Sequence, residues 1–149
     1  MSEHRFILTA EWSGGLHGTG EIRTSSVMSP ISVPAGLGGP GLGTNPEDLL
    51  LGAAATCYLI TLGAILHKQG IEQLELTSEI VVDTAPVMKV KQLIHRPRIQ
   101  AGANVSETQL DKIRKAANRA ELTCMISKAM RGNVEISVEP EIWTGGIRL

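Results

Sequence analysis

Two thiols dominate the chemistry open to this sequence. Cys57 and Cys124 are its only cysteines, 67 positions apart. Brought together in space, such a pair can run a redox cycle. One thiolate attacks a peroxide oxygen and becomes a sulfenic acid, and the other condenses with it to a disulfide. A thiol reductant then reopens the bond. Each cysteine also has a plainer reading. Cys57 lies mid-way along an apolar stretch beside Ala54, Ile60 and Thr61, and apolar burial raises a thiol pKa and makes it inert. Cys124 follows Thr123 at what reads as the start of a short helix, where main-chain amides lower a thiol pKa. Glu47 and Asp48 are acids in the first turn of a helix. They complement its dipole, or one of them polarises a partner in a site. Other chemistries find little support. His4, His17, His67 and His95 share no ligand spacing, no C-x-x-C occurs, and no G-x-S-x-G nucleophile elbow is present. The reading therefore contains no metal and no cofactor.

The element that must carry Cys57 is unusually well marked. Asn45 is a good N-cap, Pro46 suits the first helical position, and Glu47 and Asp48 suit the positive helix end. No charged residue then occurs from Leu49 to Leu66, and Gly70 supplies a left-handed C-terminal cap. A helix apolar all round needs cover on all sides. Its length touches the lower limit of a membrane span, but the rest of the chain offers strands to cover it, so no membrane is assigned.

Around it, Phe6 to Trp12 and Glu21 to Ser26 read as strands, and Ile31 to Val33, between two prolines, as a short edge strand. The loop Ala35 to Thr44 contains a literal G-x-G-x-x-G. It precedes two acids rather than a free helix start, so it reads as a glycine loop and not as a nucleotide site. Leu74 to Asp83 and Val90 to Ile99 read as further strands, Pro97 marking an edge or bulge. Ser106 and Gln109 form a capping box for a one-sided helix whose apolar stripe is Leu110, Ile113, Ala116, Ala117 and Ala120. Met125 to Arg131 adds one or two helical turns, ended by Gly132, and Val134 to Ile142 reads as one last strand. The order is α+β in one domain, 1–149. Five or six strands are too few to wrap the apolar helix, so a homodimer is expected.

The bulk numbers agree. A length of 149 residues favours one domain, and the 42% hydrophobic content with only 3% aromatics demands an aliphatic core. The net charge is −1 with scattered basic residues, which gives no nucleic-acid surface. The first nine residues carry charges and no long apolar run, so no signal peptide is read and a cytoplasmic location is expected. There a structural disulfide is not expected.

At Gly43 to Leu62 (GTNPEDLLLGAAATCYLITL) and Leu122 to Glu139 (LTCMISKAMRGNVEISVE) the chain resembles the OsmC/Ohr family of thiol-dependent hydroperoxide reductases. Glu47 and Cys57 stand at the family's spacing of ten residues. Cys124-Met125-Ile126-Ser127 matches its second cysteine motif, with Met125 where proline is usual. The resemblance implies an intertwined homodimer, its long buried central helices wrapped by antiparallel sheets from both chains, with sites at the interface. It implies Cys57 as peroxidatic cysteine, Cys124 as resolving cysteine, and Glu47 as the carboxylate that orients a catalytic arginine. It also implies a hydroperoxide substrate and a thiol or dithiol reductant.

The chain departs from the family at that arginine. Gly14-Gly15-Leu16-His17 stands where one branch has a G-G-R turn, and only Leu37 and glycines precede G-T-N-P, where the other branch has it. Arg23, Arg131 and His17 match neither motif. A second reading follows from this departure: a relative that has lost peroxidase activity and binds a small apolar or thiol ligand at the dimer interface.

Overall fold

The computed structural model describes residues 2–149. The chain forms two compact units, the first ending at Leu50 and the second spanning Leu51–Leu149. In the first, β1 (Thr9–Ser13), β2 (Thr19–Arg23) and β3 (Met28–Ile31) form an antiparallel sheet in the order β1-β2-β3. Every residue of β1 is exposed, and Ile22 is the one buried hydrophobic side chain of the sheet. The glycine loop folds back on itself through a short 3-10 turn, Ala35–Leu37. It is held by the buried Ser32 hydroxyl, which donates to Leu42 O (2.9 Å) and accepts from Leu42 N (2.7 Å). The loop is thus closed by its own hydrogen bonds.

α1 (Pro46–His67) begins as its sequence dictates. Asn45 Oδ1 accepts from the Asp48 amide (2.8 Å). It ends on Gly70 at φ +77°, with the Ile71 amide reaching back to Leu66 O (3.1 Å). Within one chain only Ala54, Tyr58, Leu62 and Leu66 of this helix are buried, one stripe at four-residue spacing. Gly52, Ala53, Thr56, Ile60 and Ala64 are exposed. The helix is therefore not buried all round in a single chain. It is long and apolar enough to cross a membrane by length and composition, yet Tyr58, Leu62 and Leu66 of its buried stripe pack into the main core.

The second unit carries a five-stranded sheet. β4 (Leu74–Asp83) pairs antiparallel with β5 (Lys89–Ala101). α2 (Glu107–Thr123) and α3 (Met125–Met130) then carry the chain back. That return makes the next strands, β6 (Glu135–Val138) and β7 (Glu141–Thr144), parallel to β5. β8 (Ile147–Arg148) closes antiparallel on β7. The sheet is thus mixed rather than antiparallel throughout, and the single last strand read from Val134 to Ile142 is two strands, interrupted at Glu139–Pro140.

Pro97 lies in the central strand, not at an edge. On one side it faces Leu76 of β4; on the other, β6 stops at His95 and β7 begins at Arg98. A residue without an N–H fits where no parallel partner is present to receive it. α2 starts with the capping box of Ser106 and Gln109, and all five stripe residues are buried. They pack with Tyr58, Leu62, Leu66, Ile99 and Ile142 to form the main core.

Candidate active site: two thiols between helices

The core described above sets the position of Cys57. Tyr58 stands next to it on α1, fully buried, and donates its hydroxyl proton to Ala117 O of α2 (3.0 Å). Its ring stacks flat on His95 of β5, with centroids 4.4 Å apart and planes 5° from parallel. The small residues Ala116, Ala117 and Ala120 of α2 are buried in the same core as Tyr58. Helix and sheet thus fix the rotation of α1 one residue away from the thiol. Burial raises the Tyr58 pKa well above its usual value, so the hydroxyl stays a donor.

Cys124 is the pivot between α2 and α3. It ends one helix and starts the next, with φ −60° and ψ 124°, and it is completely buried. Its amide donates to Ala120 O (2.9 Å), and its carbonyl accepts from the Lys128 amide (3.0 Å). At this pivot the two cysteines meet. Cys57 is half-buried, both thiols are free, and the Cys124 side chain is among the groups that act on the Cys57 thiol. Burial pushes the Cys57 thiol up. The Cys124 side chain, the amides of Ile126 and Met125 and the Thr61 side chain outweigh that and hold it below the usual thiol value.

Two expectations change here. The sequence places Cys57 in an apolar environment that raises its pKa, whereas the structure gives it a polar one that lowers it. The sequence also assigns the helix-start amides to Cys124; in the structure the Met125 and Ile126 amides act on Cys57. The only early signal was Thr61, one helical turn after Cys57. Its hydroxyl donates to Cys57 O (2.7 Å).

Glu47 is in the first turn of α1, as expected. Ten residues at the helical rise put it about 15 Å along the axis from Cys57. Its Oε2 is shielded from solvent and has no hydrogen-bond partner among the described residues. The structure thus brings Cys57 and Cys124 together, while Glu47 lies ten residues before Cys57 on the same helix.

His95 was missed as more than a histidine without ligand spacing. It shares the inward face of β5 with Leu93, Pro97 and Ile99, and that alternation was the available signal. Nδ1 is 2.7 Å from Ser78 Oγ, while Nε2 is buried without a partner among the described residues. Desolvation pushes its pKa down to about 4. Among the described residues, no group of three or more His, Cys, Asp or Glu side chains is placed to hold a metal.

Comparison with known proteins places this geometry in context. The profile of the OsmC-like protein family matches residues 39–139. The uncharacterized protein YmaD of Bacillus subtilis is 41% identical over 149 residues, covering 98% of this chain and 99% of that one. An organic hydroperoxide resistance protein of Xanthomonas axonopodis pv. citri is 26% identical over 129 residues, covering 85% and 87%. In structure, an organic hydroperoxide resistance protein OsmC from Legionella pneumophila superposes with a TM-score of 0.72 at 23% identity, over 94% of this chain and 98% of that one.

Proposed function

The chain belongs to the OsmC-like protein family, and from that premise we propose that it is a thiol-dependent peroxidase that reduces organic hydroperoxides. The observation that carries the reading is the meeting of Cys57 and Cys124 with the Cys57 thiol polarised. In the reduced protein the Cys57 thiolate attacks the distal oxygen of the hydroperoxide. An S–O bond forms, the O–O bond breaks, and the alkoxide leaves as alcohol after taking a proton. Cys124 attacks the resulting sulfenic sulfur, the S–S bond forms, and the hydroxyl leaves as water. An external thiol or dithiol supplies two electrons and two protons to restore both thiols.

The preference for organic substrates is supported by a groove of about 520 Å³ lined by Ile60, Thr61, Ala64, Ile65, Lys68, Arg119 and Thr123. It is lined by neighbours of both cysteines, Thr61 and Thr123, and by the apolar Ile60, Ala64 and Ile65. A homodimer is part of the same reading, because a second copy would cover the exposed face of α1 and wall this groove. Glu47 is too far along its own helix to touch Cys57, so in this reading it organises a site completed by the partner subunit.

The test is intact mass with a free-thiol count, before and after one equivalent of cumene hydroperoxide. Loss of two hydrogens and of both thiols per chain is expected, and Cys57→Ser should abolish turnover. Unreacted thiols in the intact folded protein, or turnover by Cys57→Ser at the wild-type rate, would overturn the reading.

A further inference from the structure

We infer that Arg131 is a positioning residue for disulfide closure: its guanidinium ties the end of α3 to the end of α2, and so sets where Cys124, the pivot between them, presents its sulfur. The inference rests on the peroxidase reading above for the step it serves, and on the hydrogen bonds of Arg131 for its geometry.

The pivot needs such a tie. Cys124 joins the two helices with φ −60° and ψ 124°, so the helical ladder does not run through it unbroken. The relative direction of α2 and α3 has to be held by contacts across the turn. A helix also leaves its last carbonyls without partners inside it. In α2 the Cys124 amide takes Ala120 O (2.9 Å), and the next two carbonyls are met by Arg131. Its Nη2 donates to Glu121 O (3.2 Å) and to Glu121 Oε1 (2.8 Å), and its Nη1 makes a longer contact with Leu122 O (3.5 Å). The backbone of the same residue belongs to the other helix: the Arg131 amide donates to Ser127 O of α3 (3.0 Å). One residue thus holds both helix ends, with Cys124 between them.

This arrangement also accounts for the charge of Arg131. Both Nη2 protons go to Glu121, whose side chain is the more sheltered of the two at 13% exposure. The positive charge is matched there, at the end of α2. Arg131 therefore acts through Cys124 and not as a counter-charge to Cys57.

The two chemical steps depend on it differently. In the first, Cys57 attacks the peroxide, and the direction of Cys124 plays no part. In the second, the Cys124 thiolate attacks the Cys57 sulfenic sulfur. The S–S bond forms, the S–O bond breaks, and hydroxide takes up the thiol proton to leave as water. That attack has to reach the narrow distance and dihedral range of a disulfide. Loosening the tie should slow the second step and spare the first.

The experiment mixes reduced, full-length wild type, Arg131→Gln and Arg131→Lys with one equivalent of cumene hydroperoxide. Samples are quenched in time into dimedone, which traps sulfenic acid, and peptide mapping scores the Cys57–Cys124 disulfide. In Arg131→Gln the sulfenic acid should form at the wild-type rate and accumulate. Its disulfide should close about tenfold more slowly, as expected for a reacting atom displaced by a fraction of an ångström. Arg131→Lys keeps the charge and loses the planar fork, so it should close as slowly as Arg131→Gln. Closure at the wild-type rate in either folded variant, or equal slowing of both steps in Arg131→Gln, overturns the inference.

Should Arg131→Gln fail to fold, Glu121→Ala decides. It removes the carboxylate anchor alone, and closure should slow by about threefold, the scale of one partly exposed ion pair. Closure at the wild-type rate in Glu121→Ala then overturns the inference. A wild type that forms neither sulfenic acid nor disulfide with peroxide removes the peroxidase reading instead. The tie is then scored on disulfide closure by diamide, where Arg131→Gln should again lag and equal closure overturns it.

Discussion

Cys57 and His95 occupy opposite sides of Tyr58 in polarity, and the contrast shows what burial does to a titratable side chain. Cys57 has donors around it and its charged form is favoured. His95 is buried, with the Tyr58 ring on one face, Ser78 at Nδ1 and no partner at Nε2 among the described residues, so its charged form is penalised. Its folded pKa of about 4 lies below the value near 6.5 expected in an unfolded chain. Between those two values the unfolded state binds the extra proton. Stability should therefore fall as pH drops from about 6.5 towards 4, and this contribution should be flat above that window. Urea unfolding midpoints of wild type and His95→Asn across pH 7 to 4 measure it. The wild-type midpoint should decline more steeply in that window, and parallel curves would refute the assignment.

At the scale of elements, the site is built by packing one apolar helix on a second helix and a strand. Tyr58 is the joint, because its hydroxyl reaches α2 while its ring lies on β5. Tyr58→Phe keeps the ring and removes one buried hydrogen bond, and should cost about 1 kcal/mol in denaturant unfolding. A loss of under a few tenths would mean that the hydroxyl contributes little to holding α1 on α2. The caps and stripes behind this packing were legible in the sequence. Asn45, Pro46, Gly70, Ser106 and Gln109 act locally, and the five-residue stripe of α2 follows directly from helical periodicity. What was not legible depends on contacts between distant segments. The partner switch beside Pro97 depends on where β6 ends and β7 begins. The polarity around Cys57 depends on a turn more than sixty residues away. The two-cysteine pairing was visible only as a possibility of chemistry and as a resemblance, since no spacing rule brings 57 and 124 together.

At the scale of the whole molecule, the largest unexplained quantity is exposed apolar surface. Ile60 is 68% exposed on α1, Leu122 is 57% exposed at the end of α2, and Phe6 is 94% exposed ahead of a strand with no buried residue. Large exposed apolar surface on a helix marks an interaction surface when it is contiguous, as the exposed face of α1 is. The homodimer proposed above would cover the exposed face of α1 with a second copy of the chain. α1 is apolar on all sides, and its uncovered face carries the small residues Gly52, Ala53 and Ala64, which allow close approach of another helix. Homodimers with two-fold symmetry present one self-complementary patch to itself, which a single uncovered helix face can supply. The expected result in sedimentation equilibrium is a particle of twice the chain mass at micromolar concentration. Ile60→Asp places a charge on the exposed face of α1 and should shift the equilibrium to monomer. Because the patch is solvent-exposed within one chain, the change should leave the Tyr58–Leu66 core of that chain folded, as read by far-UV circular dichroism. A wild-type protein that sediments as a monomer, or an Ile60→Asp variant as dimeric as wild type, would assign the exposed face to something other than a second copy.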